Sequence, residues 1–268
     1  MPPAIQAAIL GIVQGVTEFL PVSSSAHLIL ARAFFGFDGD KFGLPFDVAC
    51  HVGTIIAAII YFRTEIMRMV AALPRLFAPD RDADARLIWL LVVGTVPAVV
   101  VGLLFNNYIE DHLRTVSVSA AMLALGAVGF FLAESFGSKQ RDEASLTMGE
   151  VFLIGCAQAV ALIPGVSRSG ITITVALLMG LRRPEAARFI FLLAIPAILG
   201  AAGHEAPKML KAGLGGEAHL FAIGVVASAI VGYLSIAYFI RYLARHSLAA
   251  FAWYRLALAG AAVVWLMR

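Results

Sequence analysis

Glu18, Ser23, Ser24, Ser25 and His27 place a carboxylate, three hydroxyls and an imidazole within ten residues of one another. Such a set can move a proton, attack an electrophile or help to hold a cation. Gln14 stands four residues before Glu18, on the same face of a helix, with Thr17 close by. Pro21 stops that helix, and the serine run lies where the next should begin. A positive charge comes from far along the chain, where Ser167-Arg168-Ser169 follows Pro164-Gly165 and precedes Gly170-Ile171-Thr172. A helix opening there presents free N–H donors and a partial positive charge to an anion. Arginine adds a planar fork suited to bidentate phosphate binding, and Gly165 and Gly170 allow close backbone approach.

Taken singly, each residue has an ordinary structural reading. The serine run can cap the helix that follows, His27 can be a satisfied buried histidine, and Glu18 can make a helix–helix hydrogen bond. Arg168 can pair with Glu18 as a structural ion bridge, although that pairing would itself bring the two stretches to one place. The stretches are distant copies of each other. With one fixed offset, Gly11 falls on Gly155, Gln14 on Gln158, Val16 on Val160, Ser23 on Ser167 and Ser25 on Ser169, and only the proline slips by one position.

The elements that must carry these groups belong in a membrane. Of 268 residues, 61% are hydrophobic and 14% charged, against about 25% charged in a soluble domain. Segments 46–62, 87–105, 115–133, 189–203, 218–240 and 249–267 are apolar enough to cross a bilayer, which takes about 20 residues. The fold class is therefore an all-α polytopic membrane protein with about six transmembrane helices. Polar groups inside it are costly and mark function by default. Cys50 and Cys156 read as small buried thiols, with no metal-ligand spacing around them. The N-terminus lacks the basic start and cleavage site of a secretory signal, so the first apolar segment is expected to belong to the mature fold. The net charge of +3 comes without an interleaved aromatic–basic patch, which argues against nucleic acid.

Basic residues orient the chain. They crowd 63–86 (Arg63, Arg68, Arg75, Arg81, Arg86), 134–150, 181–188 and 241–250, and are sparser in 37–46 (Lys41), 106–114 (Arg114) and 204–217 (Lys208, Lys211). The positive-inside rule places the first group in the cytoplasm. With 37–46 outside, a segment 1–36 that does not cross would be a broken re-entrant hairpin from the outer face. Segment 151–180, between two inside loops, cannot cross an odd number of times and becomes a second, entering from the cytoplasm. The chain reads as one integral membrane domain, 1–268, built as an inverted-topology repeat of about 1–135 and 145–268. The two hairpins would meet near the midplane, where broken helices of transporters hold their ligands. Pro97 and Pro196, inside other spans, read as kinks.

The run Gln14-Gly15-Val16-Thr17-Glu18-Phe19-Leu20-Pro21-Val22-Ser23-Ser24-Ser25-Ala26-His27, with Pro164-Gly165-Val166-Ser167-Arg168-Ser169-Gly170-Ile171-Thr172, closely resembles the undecaprenyl-diphosphate phosphatase family of bacteria, also known for bacitracin resistance. The family's motifs are an acidic or Gln residue, three others and Glu, then Pro-Gly-x-Ser-Arg-Ser-x-x-Thr. Both match, and length and hydropathy agree end to end. Many members carry Glu where this chain has Gln14, so two-carboxylate roles do not transfer to that position. The resemblance implies removal of the terminal phosphate from the C55 polyprenyl diphosphate at the outer face of the cytoplasmic (inner) membrane. The product is the lipid carrier for peptidoglycan and other envelope polymers. It also implies a divalent cation, Mg2+ or Ca2+, as cofactor.

The expected roles follow. Arg168, with the Ser167 and Ser169 region, holds phosphate and neutralises transition-state charge. Ser24 is the first candidate nucleophile with His27 as its acid/base partner; attack by His27 or by water stays open. Glu18 binds the cation or acts as base, with Gln14 as a neutral helper. Thr17, Ser23, Ser25 and Thr172 complete the substrate-binding set. Asp47 and His51 line the entrance or serve packing and topology, and Arg255 attracts the diphosphate or marks a shifted span boundary. Expected partners are the polyprenyl lipid and membrane lipid, with a homodimer left open. The main rival is a transporter or flippase of a polyprenyl phosphate lipid, which shares the architecture but does not require the His–Ser–Glu group. A second rival, the other large superfamily of membrane phosphatases, shares only a faint Ser25-Ala26-His27 likeness, and its Lys-x6-Arg-Pro element is absent. A scaffold role gives no reason for buried ionisable groups.

Overall fold

The computed structural model of the protein describes residues 1–39, 41–77, 82–212 and 217–268, with the backbone alone for 205–212. Among these residues the chain is entirely helical apart from turns and one isolated bridge between Arg141 and Leu181. The helices are α1 (Pro3–Phe19), α2 (Ser24–Phe35), α3 (Leu44–Tyr61), α4 (Arg63–Ala72), α5 (Ala83–Leu113), α6 (Val116–Phe136), α7 (Met148–Val160), α8 (Arg168–Leu178), α9 (Arg183–Ala212), α10 (Ala218–Leu243) and α11 (Ala249–Leu266). Six of them (α3, α5, α6, α9, α10 and α11) are long and apolar enough to cross a membrane. The chain is a multi-pass membrane protein, and each of the six apolar segments read from the sequence lies on one of these helices.

Local chemistry explains where the short helices break. Pro2 and Pro3 start α1, where a missing N–H costs nothing. Leu20, the residue before Pro21, is forced out of the helical region, with φ −67° and ψ 142°. Ser23 then takes φ 74° and caps α2, its hydroxyl accepting from the Ala26 amide at 3.4 Å. The second break repeats this cap. Ser167 has φ 72° and accepts from the Gly170 amide at 3.1 Å, opening α8. Gly165, at φ 96°, makes the turn ahead of it.

Helix contacts run in matching pairs. α1 lies along α10, and α7 lies along α5; α3 meets α10, and α9 meets α5. Where lipid competes with side chains, association depends on close backbone approach through small residues. Gly11 supplies it for α1, where an added Cβ would sit 2.6 Å from Gly224 O. Gly155 supplies it for α7, where the same atom would sit 2.5 Å from Gly94 O. The largest buried apolar cluster joins α6, α8, α9, α10 and α11, and Phe19 at the end of α1 reaches it edge-to-face on Phe191, centroids 5.3 Å apart. At the far end of the second broken pair, Thr147 and Glu150 form a capping box on α7. Arg141 binds Glu150 at 2.6 Å and the Met179 carbonyl at 2.8 Å, tying the start of α7 to the end of α8.

Some predicted loops are helical. Residues 106–113 continue α5, the backbone of 204–212 continues α9, and 63–72 form α4. A helix need not stop where hydropathy stops, because its backbone bonds remain intrahelical while polar side chains leave the membrane zone. Asp82 caps α5 through the Ala85 amide at 2.7 Å. Pro97 and Pro196 both sit inside helices. Arg81 and the side chains of Lys208 and Lys211 lie outside the described residues.

Candidate active site

Glu18, on the last turn of α1, is the hub. Its side chain is 4% exposed and its two oxygens meet four groups. Oε2 accepts from Ser24 Oγ at 2.7 Å and from Gln14 Nε2 at 2.8 Å, and His51 Nε2 lies 3.4 Å away. Oε1 accepts from Arg168 Nη1 at 3.0 Å. One carboxylate thus joins α1, α2, α3 and α8, and both breaks of the chain meet there. Arg168 is 25% exposed, and no other hydrogen bond of its guanidinium is made among the described residues. Much of the fork is left for a ligand.

The hydroxyls divide by task. Ser23 caps α2 and also accepts from the Gly165 amide at 3.2 Å, crossing from one break to the other. Ser169 donates back to Leu20 O at 3.2 Å. Ser23 and Ser25 lie 3.3 Å apart, and so do Ser167 and Ser169. Thr17 and Thr172 spend their hydroxyls on Val13 O and Arg168 O, both at 2.6 Å, within their own helices. Ser24 alone of the hydroxyls is bonded to a carboxylate inside the site.

His27 lies on the first turn of α2 and faces elsewhere. Its Nδ1 meets Ser23 O at 2.7 Å and its Nε2 meets Tyr254 OH at 2.7 Å, with the two rings stacked. A carbonyl only accepts, so Nδ1 carries the proton, and in the neutral ring Nε2 accepts from the phenol. The structure therefore brings Ser24 to Glu18, and places His27 against the backbone of the break and α11.

Three residues add what their spacing alone did not reveal. His51 joins the site through Glu18, with its Nδ1 on Asp47 O at 2.7 Å. Asp47 is shared by Arg32 and Arg114, the latter at 3.1 Å, so it serves a charge cluster beside the site. Arg255 neither marks a span boundary nor faces a diphosphate. It is fully buried inside α11, and its guanidinium donates to five carbonyls: Pro21, Met122, Leu123, Gly165 and Val166, at 2.9–3.2 Å. A guanidinium has five N–H donors, and here they gather the backbone of both breaks and α6 around one charge. Gly126 leaves room for it, since an added Cβ there would fall 1.9 Å from Nη2. An ionisable residue inside an apolar segment was the available signal for His51 and Arg255; Arg32 and Arg114 carried none beyond the need of Asp47 for a partner.

The family model for bacitracin resistance protein BacA matches residues 7–261. The chain belongs to the BacA family. Among curated BacA-like relatives, the undecaprenyl-diphosphatase of Rubrobacter xylanophilus is 49% identical over 95% of both chains. The undecaprenyl-diphosphatase of Pelobacter propionicus is 45% identical over 97% of this chain and 96% of its own. That of Saccharophagus degradans is 43% identical over 97% and 98%. Likeness to the BacA family therefore spans both breaks and reaches all six long apolar helices, and every residue of the hub lies within the match.

No group of three His, Cys, Asp or Glu side chains suited to a metal occurs among the described residues. A hard divalent ion can still be held by one carboxylate, neutral oxygens and substrate phosphates. Gln14 offers such an oxygen: its Oε1 is buried without a partner beside Glu18. The donors present fit Mg2+ or Ca2+ only when phosphate completes the set.

Proposed function

We infer that this protein is an undecaprenyl-diphosphate phosphatase, releasing inorganic phosphate from the C55 lipid to give the carrier used in cell-wall synthesis, an activity consistent with bacitracin resistance. The observation that carries the chemistry is the Ser24–Glu18–Arg168 chain, in which one carboxylate takes a hydroxyl on one oxygen and a guanidinium on the other. In the proposed reaction Glu18 accepts the Ser24 proton as Oγ attacks the terminal phosphorus. The new P–Oγ bond forms as the bond to the bridging oxygen breaks, and undecaprenyl phosphate leaves with that electron pair and with the proton handed on from Glu18, which is thereby a free carboxylate again. Water, deprotonated by the same carboxylate, then breaks the P–Oγ bond, and inorganic phosphate departs as Ser24 recovers its proton. Arg168 binds the equatorial oxygens with the donors it does not give to Glu18. Glu18 and Gln14 Oε1 would hold a divalent cation, which neutralises phosphate charge when bound. His27 positions Ser23 and the start of α2 through its backbone bond.

The same reading includes an inverted repeat of 1–135 and 145–268, with α1–α2 and α7–α8 as re-entrant hairpins in the bacterial inner membrane. The paired caps at Ser23 and Ser167, the equal serine spacings and the matched contacts of α1 on α10 and α7 on α5 support it. The site would then open to the periplasmic face. Impermeant labelling of introduced cysteines near residues 75 and 210 should mark opposite sides; labelling from one side ends the inverted arrangement. The activity itself is checked by phosphate release from undecaprenyl diphosphate in detergent, with and without chelator. Release that the chelator abolishes is expected. A folded preparation inert across cations would transfer the site to lipid transport.

A further inference from the structure

Arg168 stands where two cavities meet. One, of about 150 Å³, also holds His51, Glu110 and Arg114. The other, of about 140 Å³, runs between α5 and α9 and is lined mainly by small and apolar groups, among them Ala98, Val99, Gly102, Ala197 and Gly200; its polar members besides Arg168 are Asn106, Gln158 and His204. Val99 belongs also to a larger apolar groove of about 510 Å³ bounded by α4, α5 and Pro196 of α9, where no charged group lines the wall. A path of falling polarity therefore leads from the phosphate-binding arginine, past two glycines, to the lipid-facing surface. Both glycines hold the path open without being required by their neighbours. A Cβ added at Gly102 would meet only Leu162 Cδ1 at 3.9 Å, and one at Gly200 only Val99 Cγ2 at 3.9 Å, ordinary contact distances.

We propose that the α5–α9 passage is the subsite for the prenyl chain of the substrate, with Gly102, Gly200 and Val99 as its rim and the α4–α5–α9 groove as its continuation. The proposal rests on the phosphatase reading above. It assigns the occupant by continuity with Arg168: an amphiphile whose diphosphate is held there must send its chain through an uncharged opening beside it. A comparable apolar cavity between α6 and α8, around Gly129 and Thr174, does not include Arg168 and has no such continuity.

The test compares chain lengths. Phosphate release is measured from undecaprenyl (C55) and dimethylallyl (C5) diphosphate with the whole protein and with Gly102→Leu, Gly200→Phe and Gly129→Leu. Leucine favours a helix over glycine, so filling is tested with little threat to folding. The rim variants should lower kcat/KM for C55 by about tenfold or more, the loss expected when burial of two or so methylene groups is denied. C5 turnover should stay within about threefold, because its chain is too short to gain much apolar burial there. Gly129→Leu should change neither. Equal losses on both substrates, or undiminished C55 turnover in the rim variants, overturn the subsite. A C55 diphosphate carrying a photoreactive group mid-chain gives an answer independent of turnover: labels on α5 and α9 uphold the assignment, and labels on α6 and α8 reject it. If unmodified protein releases phosphate from neither substrate, the phosphatase reading fails and takes the subsite with it; C55 cleavage with misplaced labels removes only the subsite.

Discussion

At Leu20–Ser23 and again at Ala161–Ser167 the chain leaves one helix, turns, and enters the next through a serine held near φ 73° (74° and 72°). The caps are alike, yet the side chains around them are not. The first break carries Glu18, Ser24 and His27, groups able to exchange protons, while the second carries Arg168 and no carboxylate. Their anchoring differs too. α7 begins in a capping box and is tied by Arg141 to the end of α8, whereas α1 begins at Pro2 with no side-chain cap. On the proposed reading, one backbone plan serves a reacting half and a holding half, and the residues around each serine decide which is which.

The sharpest way to break that comparison is to remove groups from the reacting half. Ser24→Ala and Glu18→Gln should each lower kcat by about 10³-fold or more in a phosphate-release assay. His27→Ala should leave more activity than either, since in the structure it touches neither the carboxylate nor Ser24. If His27→Ala is the most damaging, the attacking group is His27, and an acid-labile phosphohistidine should be trapped in the unmodified protein. Arg255→Met leaves carbonyls of both breaks without donors and should destabilise the protein by on the order of 3–4 kcal/mol, read as a lower unfolding temperature in detergent. A change confined to one break would show that the two are not held together by that charge. On the holding side, Arg168→Lys keeps the charge and loses the fork, so kcat/KM should fall about a hundredfold, on the order of 3 kcal/mol, with folding intact. Turnover near normal would make the arginine only a bridge to Glu18.

The smallest effect concerns the outer anchor of the second pair. The Arg141 fork, bonded to Glu150, holds that carboxyl down to about 2. A depressed carboxylate contributes stability that is present above its unfolded value of about 4.3 and is lost as pH falls towards 2. Glu150→Gln should therefore lower thermal stability slightly at pH 7, and the difference from the unmodified protein should shrink at pH 3. Phosphate release at pH 7 should not change.

How much of this was legible in the sequence follows from how far apart the partners are. Hydropathy located all six long apolar helices because each is a local property of its own segment. Pro21 and the residues before Gly170 located both breaks for the same reason. The Glu18–Arg168 contact spans 150 positions, and it was readable only because a motif on each side demanded an opposite charge. The His27–Tyr254 bond spans 227 and had no such signal: a tyrosine in an apolar span is ordinary. The Ser24–Glu18 bond depends on how sharply the chain turns between Leu20 and Ser23, which residue types suggest but do not measure. Loop limits at 106–114 and 204–217 were misplaced because polarity marks where a membrane ends, and backbone hydrogen bonding decides where a helix does.

Arg255 imposes an order on manufacture. Its bond to Pro21 O joins residues 234 positions apart, so the first break is synthesised long before the side chain that satisfies it. The emerging protein must shelter those carbonyls by other means until α11 is inserted, and a polypeptide halted between α8 and α11 would hold every residue of the Glu18 hub without the guanidinium that draws its two turns together. Competence thus arrives with α11, so a chain terminated before that helix is expected to be inert and a target for quality-control proteolysis.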